Sequence, residues 1–286
     1  MRGLVEELFR PAPPARPDGS LGAELELIPI RSSSHARVGM ATTDSGPGTV
    51  ELVRAVARVR SWIEETDSYG APLWTTADGG KVLYEPGGQL EVSSPVFGSA
   101  AELESFLRDT VQVLRESAHD AGILLLTSGV DPYNSIEQVP QELHGSRYDA
   151  MTRYFDAIGP SGARMMRQTG AFQLSVELGP DVMQRWALLN ALAPYLVAAF
   201  ANSPSYAGSA TGFASYRARL WQTLDSTRTG MPFDRADPVA AYTRFARSAG
   251  RILDDDAMHL TTLFPEIRPR GYFEIRSMDS MEPERA

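Results

Sequence analysis

The chain of 286 residues contains no cysteine, which excludes disulfide bonds, thiolate metal sites and cysteine nucleophiles. It also has no apolar run of about 18 residues, and its first ten residues are acidic, unlike a secretion signal. Lysine and arginine form no basic run, and the formal net charge is -9. These absences argue against nucleic-acid and membrane partners, and they favour a soluble cytoplasmic protein.

The length allows the chain to bury roughly 75% of its unfolded surface. That is enough for one large domain or two small ones, and of these we predict a single domain over residues 1–286. Residues 1–20 are predicted to form a short helix, Leu4–Phe9, and a proline-rich linker that begins at Pro11, where a helix cannot continue.

An acidic strand, residues 22–30, is the first chemical signal in the sequence. Alternation places Glu24 and Glu26 on one face and Ala23, Leu25 and Leu27 on the other. Neighbouring carboxylates repel each other and lose solvation on burial. They therefore indicate either a solvated face or a cation site, and this strand alone does not decide between the two.

Three further strands repeat this arrangement, at residues 81–94, 169–178 and 271–276. The first is interrupted by Pro-Gly-Gly and carries Glu91, the second carries Gln173, and the third carries Glu274 beside Arg276. Amphipathic or apolar spacing predicts helices at 50–65, 100–121 and 186–201, the last one buried because it is nearly all apolar. The pattern predicts an α+β fold in which helices pack on one face of a sheet and a polar hollow occupies the other.

Such a hollow would gather Glu24, Glu26, Glu91 and Glu274, with Gln173 and Glu85 at its edge. This many carboxylates need cations to remain ionised together. Hard oxygen ligands in this number predict two or three Mg²⁺ or Mn²⁺ ions, and Mg²⁺ commonly bridges carboxylates to nucleotide phosphates.

An arginine-rich segment, residues 215–230, offers the opposite charge. It contains Arg217, Arg219, Trp221 and Arg228. The spacing fits a surface helix whose arginines extend beside a packed tryptophan. It also fits a site in which arginines bind phosphate and substrate carboxylates in a planar, two-point manner.

The chain resembles the plant-type glutamate–cysteine ligases and their bacterial relatives, among them the ligase that opens ergothioneine synthesis. The motifs that carry the resemblance run in order along the sequence: Gly-Ala-Glu-Leu-Glu (22–26), Tyr-Glu-Pro-Gly-Gly-Gln-Leu-Glu (84–91), Arg-Tyr-Asp-Ala-Met (147–151), Thr-Gly-Ala-Phe-Gln-Leu-Ser (169–175), Ala-Asn-Ser-Pro (201–204), Asp-Ser-Thr-Arg-Thr-Gly (225–230) and His-Leu-Thr-Thr-Leu-Phe-Pro-Glu-Ile-Arg (259–268), followed by Tyr-Phe-Glu-Ile-Arg (272–276).

The resemblance implies a glutamine synthetase-like fold, with a curved, mainly antiparallel sheet and the active site on its concave face. It implies that ATP phosphorylates the γ-carboxylate of L-glutamate and that L-cysteine then displaces the phosphate, with Mg²⁺ or Mn²⁺ as cofactor. The implied metal ligands are Glu24, Glu26, Glu85, Glu91, Gln173 and Glu274. The implied catalytic residues are Glu26, Glu91 and Arg276. Arg276 and Arg219 are expected at the nucleotide, and Arg147, Tyr148, Arg217, Trp221 and Arg228 at the amino acids.

Two departures from the family pattern accompany the resemblance. The sequence stops at residues 281–286, where relatives continue, so a truncated C-terminus is expected; residues 230–259 are short, which favours the bacterial branch. Three hypotheses follow: a glutamate–cysteine ligase acting as monomer or homodimer, a γ-glutamyl ligase with another amine acceptor, and a non-catalytic remnant. No residue in the sequence is identified as a general base.

Overall fold

The computed structural model describes residues 1–11, 17, 19–234 and 236–285, so residues 12–14 of the predicted proline-rich linker lie outside the described residues. The helices of the described part are α1 (Arg2–Leu8), α2 (Thr49–Arg60), α3 (Ala100–Asp120), α4 (Ser146–Asp156), α5 (Pro160–Gln168), α6 (Val182–Ala199), α7 (Tyr216–Leu224), α8 (Pro238–Ser248) and α9 (Asp256–Leu260). Short 3₁₀ turns occur at Ile136–Gln138 and Pro283–Arg285.

Within the described residues the strands form one large sheet and two small ones. They are β1 (Leu21–Arg31), β2 (Ile63–Thr66), β3 (Pro72–Thr75), β4 (Lys81–Tyr84), β5 (Leu90–Ser93), β6 (Ile123–Leu126), β7 (Ala171–Val176), β8 (Ser205–Tyr206), β9 (Ser209–Ala210), β10 (Thr229–Gly230), β11 (Phe264–Pro265), β12 (Ile267–Pro269) and β13 (Phe273–Asp279). The large sheet is antiparallel, in the order β12-β13-β7-β1-β5-β4-β3-β2, and β6 pairs with the far end of β1. The predicted α+β, mainly antiparallel architecture is confirmed.

One face of this sheet is core. Leu25 and Leu27 of β1 and Leu90 of β5 are fully buried there, and α2 and α3 cover the same side with their apolar stripes. The side chain of Ser99 caps α3 by accepting a hydrogen bond from the Glu102 amide, as its spacing predicts. The structure adds helices α4, α5 and α7 above the other, polar face.

The prediction that residues 186–201 form a buried helix is wrong for one side of α6. Trp186 packs on Phe273 of β13, with ring centroids 5.6 Å apart, but Leu188 and Tyr195 are 55% and 73% exposed. A helix that is apolar on all sides has no distinct hydrophobic face, so the sequence did not reveal which side of α6 would contact the sheet.

The predicted helix over residues 50–65 is also wrong at its end. The helix stops at Arg60 because Ser61 adopts a left-handed conformation, φ 55°, and Ile63 begins the edge strand β2. Val59 and Ile63 fit helical spacing, yet they are 83% and 64% exposed. Apolar spacing therefore continued beyond the residues that face the core.

None of the helices in the described residues combines the length and the apolar composition that are needed to cross a membrane.

Candidate active site

Strand register brings the predicted acids onto one face of the sheet. Glu26 of β1 lies opposite Glu91 of β5, and Glu24 lies opposite Gln173 of β7. Paired residues of antiparallel strands point to the same side, so these four side chains form one polar surface. Glu274 of β13 joins it one strand further along.

A cavity of about 370 Å³ lies over this surface, and we call it the central cavity. Helices α4, α5 and α7 cover it. It contains most of the residues that the sequence predicts for the site: Glu24, Glu26, Glu85, Glu91, Arg147, Tyr148, Gln173, Arg217, Trp221 and Arg276.

Three glutamates at one end of the central cavity can share a cation. Carboxylate oxygens of Glu26, Glu85 and Glu91 all lie within 4.8 Å of one another. Burial, together with the neighbouring carboxylates, raises the pKa of each to about 8. Glu26 accepts a hydrogen bond from the Ala171 amide at 2.9 Å and Glu91 accepts one from Ser93 Oγ at 2.5 Å, which orients both groups. This donor set suits a hard divalent ion.

Gln173 connects this acidic end to a basic end. Its Nε2 donates to Glu24 Oε2 at 2.9 Å, and its Oε1 accepts from Arg276 Nη1 at 2.5 Å. Burial and the charges of Glu91 and Glu274 raise the pKa of Glu24 to about 8. Glu24 therefore resembles the three acids beside it, although arginines lie nearby.

Glu274 is surrounded by three arginines. Its oxygens lie 2.6 Å from Arg268, 3.2 Å from Arg270 and 2.5 Å from Arg276. Burial opposes ionisation, but the charges of Arg268 and Arg276 dominate and hold the pKa of Glu274 well below its usual range. The metal-ligand role of Glu274 stays a prediction, because an ion could bind there only if an arginine moved away.

Trp221 lies beside two arginines of the central cavity. The guanidinium carbons of Arg217 and Arg276 lie 5.4 and 5.6 Å from its ring centroid. Arg217 also donates to the carbonyl of Arg276 at 3.0 Å. Within the described residues, Trp221 Nε1 is buried and has no hydrogen-bond partner, so it remains available to a ligand.

Arg147 and Tyr148 form the edge contributed by α4. The guanidinium of Arg147 lies 5.1 Å from the Tyr148 ring centroid and donates to the side chain and carbonyl of Thr261. This contact ties the start of α4 to the segment after α9.

Two predicted arginines are not brought to the central cavity. Arg219 lies on the exposed side of α7, 5.8 Å from the Phe213 ring. Arg228 is fully buried, and it donates to Asp225, to Thr262 and to the carbonyl of Gly250. Arg228 is therefore an internal bridge, a buried side chain that joins three segments of the chain. Its closeness to Arg217 in the sequence did not indicate this structural role.

Arg268 and Arg270 line the central cavity but were given no role from the sequence. Arg268 and Arg270 alternate with Pro269 directly before the strand that carries Glu274, and this spacing was the sequence signal that could have identified them. The methionines Met151, Met165 and Met166 also line it, and no sequence pattern distinguished them from core residues.

Comparison with known proteins identifies the family. Residues 20–286 match the family model described as glutamate-cysteine ligase family 2 (GCS2). The chain belongs to this family. It is 31% identical to the glutamate–cysteine ligase EgtA of Mycolicibacterium smegmatis, over 94% of this chain and 73% of that protein. Identity to EgtA of Mycobacterium tuberculosis is 34%, over 78% and 60% of the two chains, and identity to the chloroplastic enzyme of Brassica juncea is 30%, over 69% and 46%.

Solved structures confirm the predicted fold. A glutamate–cysteine ligase of Francisella tularensis, in complex with AMP, superposes with a TM-score of 0.56 at 12% identity, over 92% of this chain and 62% of that one. A bifunctional glutathione synthetase of Pasteurella multocida gives a TM-score of 0.52 at 13% identity, over 97% and 36%. This chain thus spans less than two thirds of both solved structures and of the M. tuberculosis relative.

Proposed function

We propose that this protein is an ATP-dependent ligase that joins the γ-carboxylate of L-glutamate to the amine of L-cysteine through a γ-glutamyl phosphate. The observation that carries the proposal is a single cavity with clustered carboxylates at one end and clustered arginines at the other. ATP, an acyl phosphate and two amino acids all need both kinds of charge partner.

The acidic end is proposed to bind two or three Mg²⁺ or Mn²⁺ ions. Glu26, Glu85 and Glu91 would hold one, and Glu24 with Gln173 would contribute to another. Divalent ions at these positions would neutralise phosphate charge and polarise the oxygens of the transferring phosphoryl group. The raised pKa values support this assignment, because carboxylates that resist ionisation when alone are stabilised by a bound cation.

The nucleotide is proposed to extend into a neighbouring cavity of about 530 Å³. Glu24 lines both cavities, and Val96, Leu178 and Tyr272 give the neighbouring cavity an apolar wall suited to a purine base. The phosphates would then lie near Arg270, whose guanidinium is 6.0 Å from the Tyr272 ring centroid.

The basic end is proposed to orient the reacting groups. Arg276 and Arg268 can stabilise the charge that develops on the transferring phosphoryl group. Arg217, Trp221 and the Arg147–Tyr148 edge are placed to bind the amino-acid substrates. Orientation of the amine beside the acyl phosphate brings a large rate gain, and no side chain is assigned as general base.

The activity is tested with purified protein, ATP, Mg²⁺ and glutamate, by quantifying the dipeptide product by mass spectrometry together with released phosphate. Cysteine should give the highest kcat/KM among cysteine, serine, alanine and 2-aminobutyrate. Equal phosphate release with every acceptor, or none with any, would overturn the proposed reaction.

Two further predictions concern the oligomeric state and the location of the protein. Size-exclusion chromatography of the same preparation distinguishes the predicted monomer from the predicted homodimer. Fractionation of cells that express the protein tests the predicted cytoplasmic location.

A further inference from the structure

Glu85 differs from the other acids of the proposed ion site because it lies on a turn. Glu26 and Glu91 are held in β1 and β5, whereas Glu85 begins the five-residue connection from β4 to β5. The turn is closed by a bond from the Gly88 amide to the Glu85 carbonyl at 2.8 Å, and Gly88 has φ +74°. Glycines leave such a turn many accessible conformations, so its position depends on outside contacts.

Arg37 makes a charged contact with this turn. Its Nη2 donates to the carbonyl of Gly87 at 2.9 Å, and its Nη1 lies 3.4 Å from Asp131 Oδ2. The two side chains are only 3% and 0% exposed. A buried ion pair has a large desolvation cost and often adds little net stability to the fold. A role in positioning the turn accounts for the Arg37–Asp131 pair better than stability does.

Asp131 is itself fixed in place. Its Oδ1 accepts hydrogen bonds from the backbone amides of Tyr133 and Asn134, both at 3.0 Å. The carboxylate therefore sets where the Arg37 guanidinium lies, and the guanidinium sets where the Gly87 carbonyl lies.

The turn is also packed closely against the end of α5 and against the segment before α4. A Cβ on Gly87 would lie 2.1 Å from the Arg167 carbonyl oxygen at the end of α5. The Pro86 carbonyl accepts from the Glu142 amide at 2.7 Å. The turn is thus clamped between α5 and the buried Arg37–Asp131 pair.

We propose that Arg37, held by Asp131, is a positioning residue that keeps Glu85 against Glu26 and Glu91 and thereby sets the affinity of their shared divalent ion. The inference rests on the proposed function, because it concerns the same acids. Ionised carboxylates within 4.8 Å of one another repel. Glu85 lies on a connecting turn, whereas Glu26 and Glu91 are held in strands, so Glu85 is the one that outside contacts must keep in place. The hydrogen bond between Arg37 and Gly87 is one of these contacts.

Mn²⁺ binding, followed by electron paramagnetic resonance of the full chain without nucleotide, tests the proposal. Arg37→Lys keeps the charge, but a single ammonium lacks the fork that joins Asp131 to Gly87. We expect it to weaken Mn²⁺ binding by about tenfold to a hundredfold, the range typical of groups that orient metal ligands. Asp131→Asn should act in the same direction.

Arg115→Lys is the matched control. Arg115 also joins a carboxylate, Glu282, to a backbone carbonyl, that of Leu125, but on α3 at the opposite face of the sheet. It should leave Mn²⁺ affinity unchanged. Equal weakening in Arg115→Lys and Arg37→Lys would show a general loss of structure and would overturn the proposal.

A mutant cycle with Glu85→Gln identifies the route of action. If Arg37 acts through Glu85, the double variant binds Mn²⁺ no more weakly than Glu85→Gln alone. Additive losses would overturn the positioning role, and so would wild-type affinity in a folded Arg37→Lys variant. Absence of Mn²⁺ binding to the wild-type protein would instead contradict the proposed function, so the two failures are distinguishable. Circular dichroism confirms that each variant is folded.

Discussion

The glutamates at the acidic end of the central cavity and the buried glutamate that pairs with the arginines of its basic end are in opposite electrostatic states. Glu26 and Glu91 are buried and Glu85 is half-buried beside them, and the pKa of each rises to about 8. Glu274 is fully buried, but three arginines hold its pKa well below the usual range. Burial alone therefore does not determine the state of a carboxylate; its charge partner does.

The difference indicates which acids need something from outside the chain. The protein itself supplies the countercharge for Glu274, whereas the other three acids have carboxylates as their nearest charged neighbours. A cation is the simplest missing partner at the acidic end, and at the basic end the arginines exceed the single acid between them, so an anion fits there.

Loss of Glu274 should have the largest effect on stability. Glu274→Gln would leave Arg268, Arg270 and Arg276 close together with no acid between them, which should lower the free energy of unfolding by about 3–5 kcal/mol. Urea denaturation measures this, with exposed Glu284→Gln as control. A loss no greater than that of the control would contradict the electrostatic account of the basic end.

Loss of Glu26 should have the reverse signature. Because the pKa of Glu26 is about 8 without metal, Glu26→Gln replaces a mostly protonated carboxyl with a neutral amide that can still accept the Ala171 hydrogen bond. Metal-free stability at pH 7 should therefore be retained or rise slightly. Turnover should fall by about a hundredfold to a thousandfold, as expected for loss of a ligand to the ion that stabilises charge on the reacting phosphate. The measurements are steady-state kinetics and urea denaturation, with exposed Glu65→Gln as control. Strong destabilisation would assign Glu26 a structural role instead.

The acidic end also predicts how stability changes with pH. Its glutamates move from an ordinary pKa of 4.5 to about 8 on folding, so the folded state binds more protons than the unfolded state between these values. Metal-free stability should therefore fall as pH rises from about 5 to 8, by about 1.4 kcal/mol per pH unit for each extra proton. Asp225, whose pKa is lowered to about 2, contributes stability that is lost only at more acidic pH.

Saturating Mg²⁺ should flatten this profile, because the ion binds the deprotonated acids. Denaturation curves at several pH values, with chelator or with Mg²⁺, provide the test. A flat profile with chelator would show that the glutamates at the acidic end are already ionised without a cation.

The smallest effect should come from Arg219. Arg219→Ala removes an exposed side chain, and we expect less than about 0.5 kcal/mol change in stability and nearly unchanged kinetics. Arg217 is two positions away in the sequence, but its side chain is buried and lines the central cavity, so Arg217→Ala should raise the KM for an amino-acid substrate. Similar kinetic losses in both variants would place Arg219 in the site, as the sequence predicts.

Alternation within strands made much of the site predictable. Glu24, Glu26, Glu91 and Gln173 share a face because a strand has a period of two, and a register that buries Leu25 and Leu27 forces those acids together. The helical segment was harder to predict, since Arg217 and Arg219 are only two positions apart, and packing against Trp221 decides which one enters the cavity.

By itself, the sequence determined the strands, their polar face, the absence of cysteine chemistry and the family. The tertiary structure decided the partners: that Glu274 belongs to three arginines, that Arg228 is an internal bridge, and that Arg37 reaches the turn that carries Glu85. The physical reason is that face and period are local properties of a strand, whereas charge pairing depends on distances between segments that lie far apart in the chain.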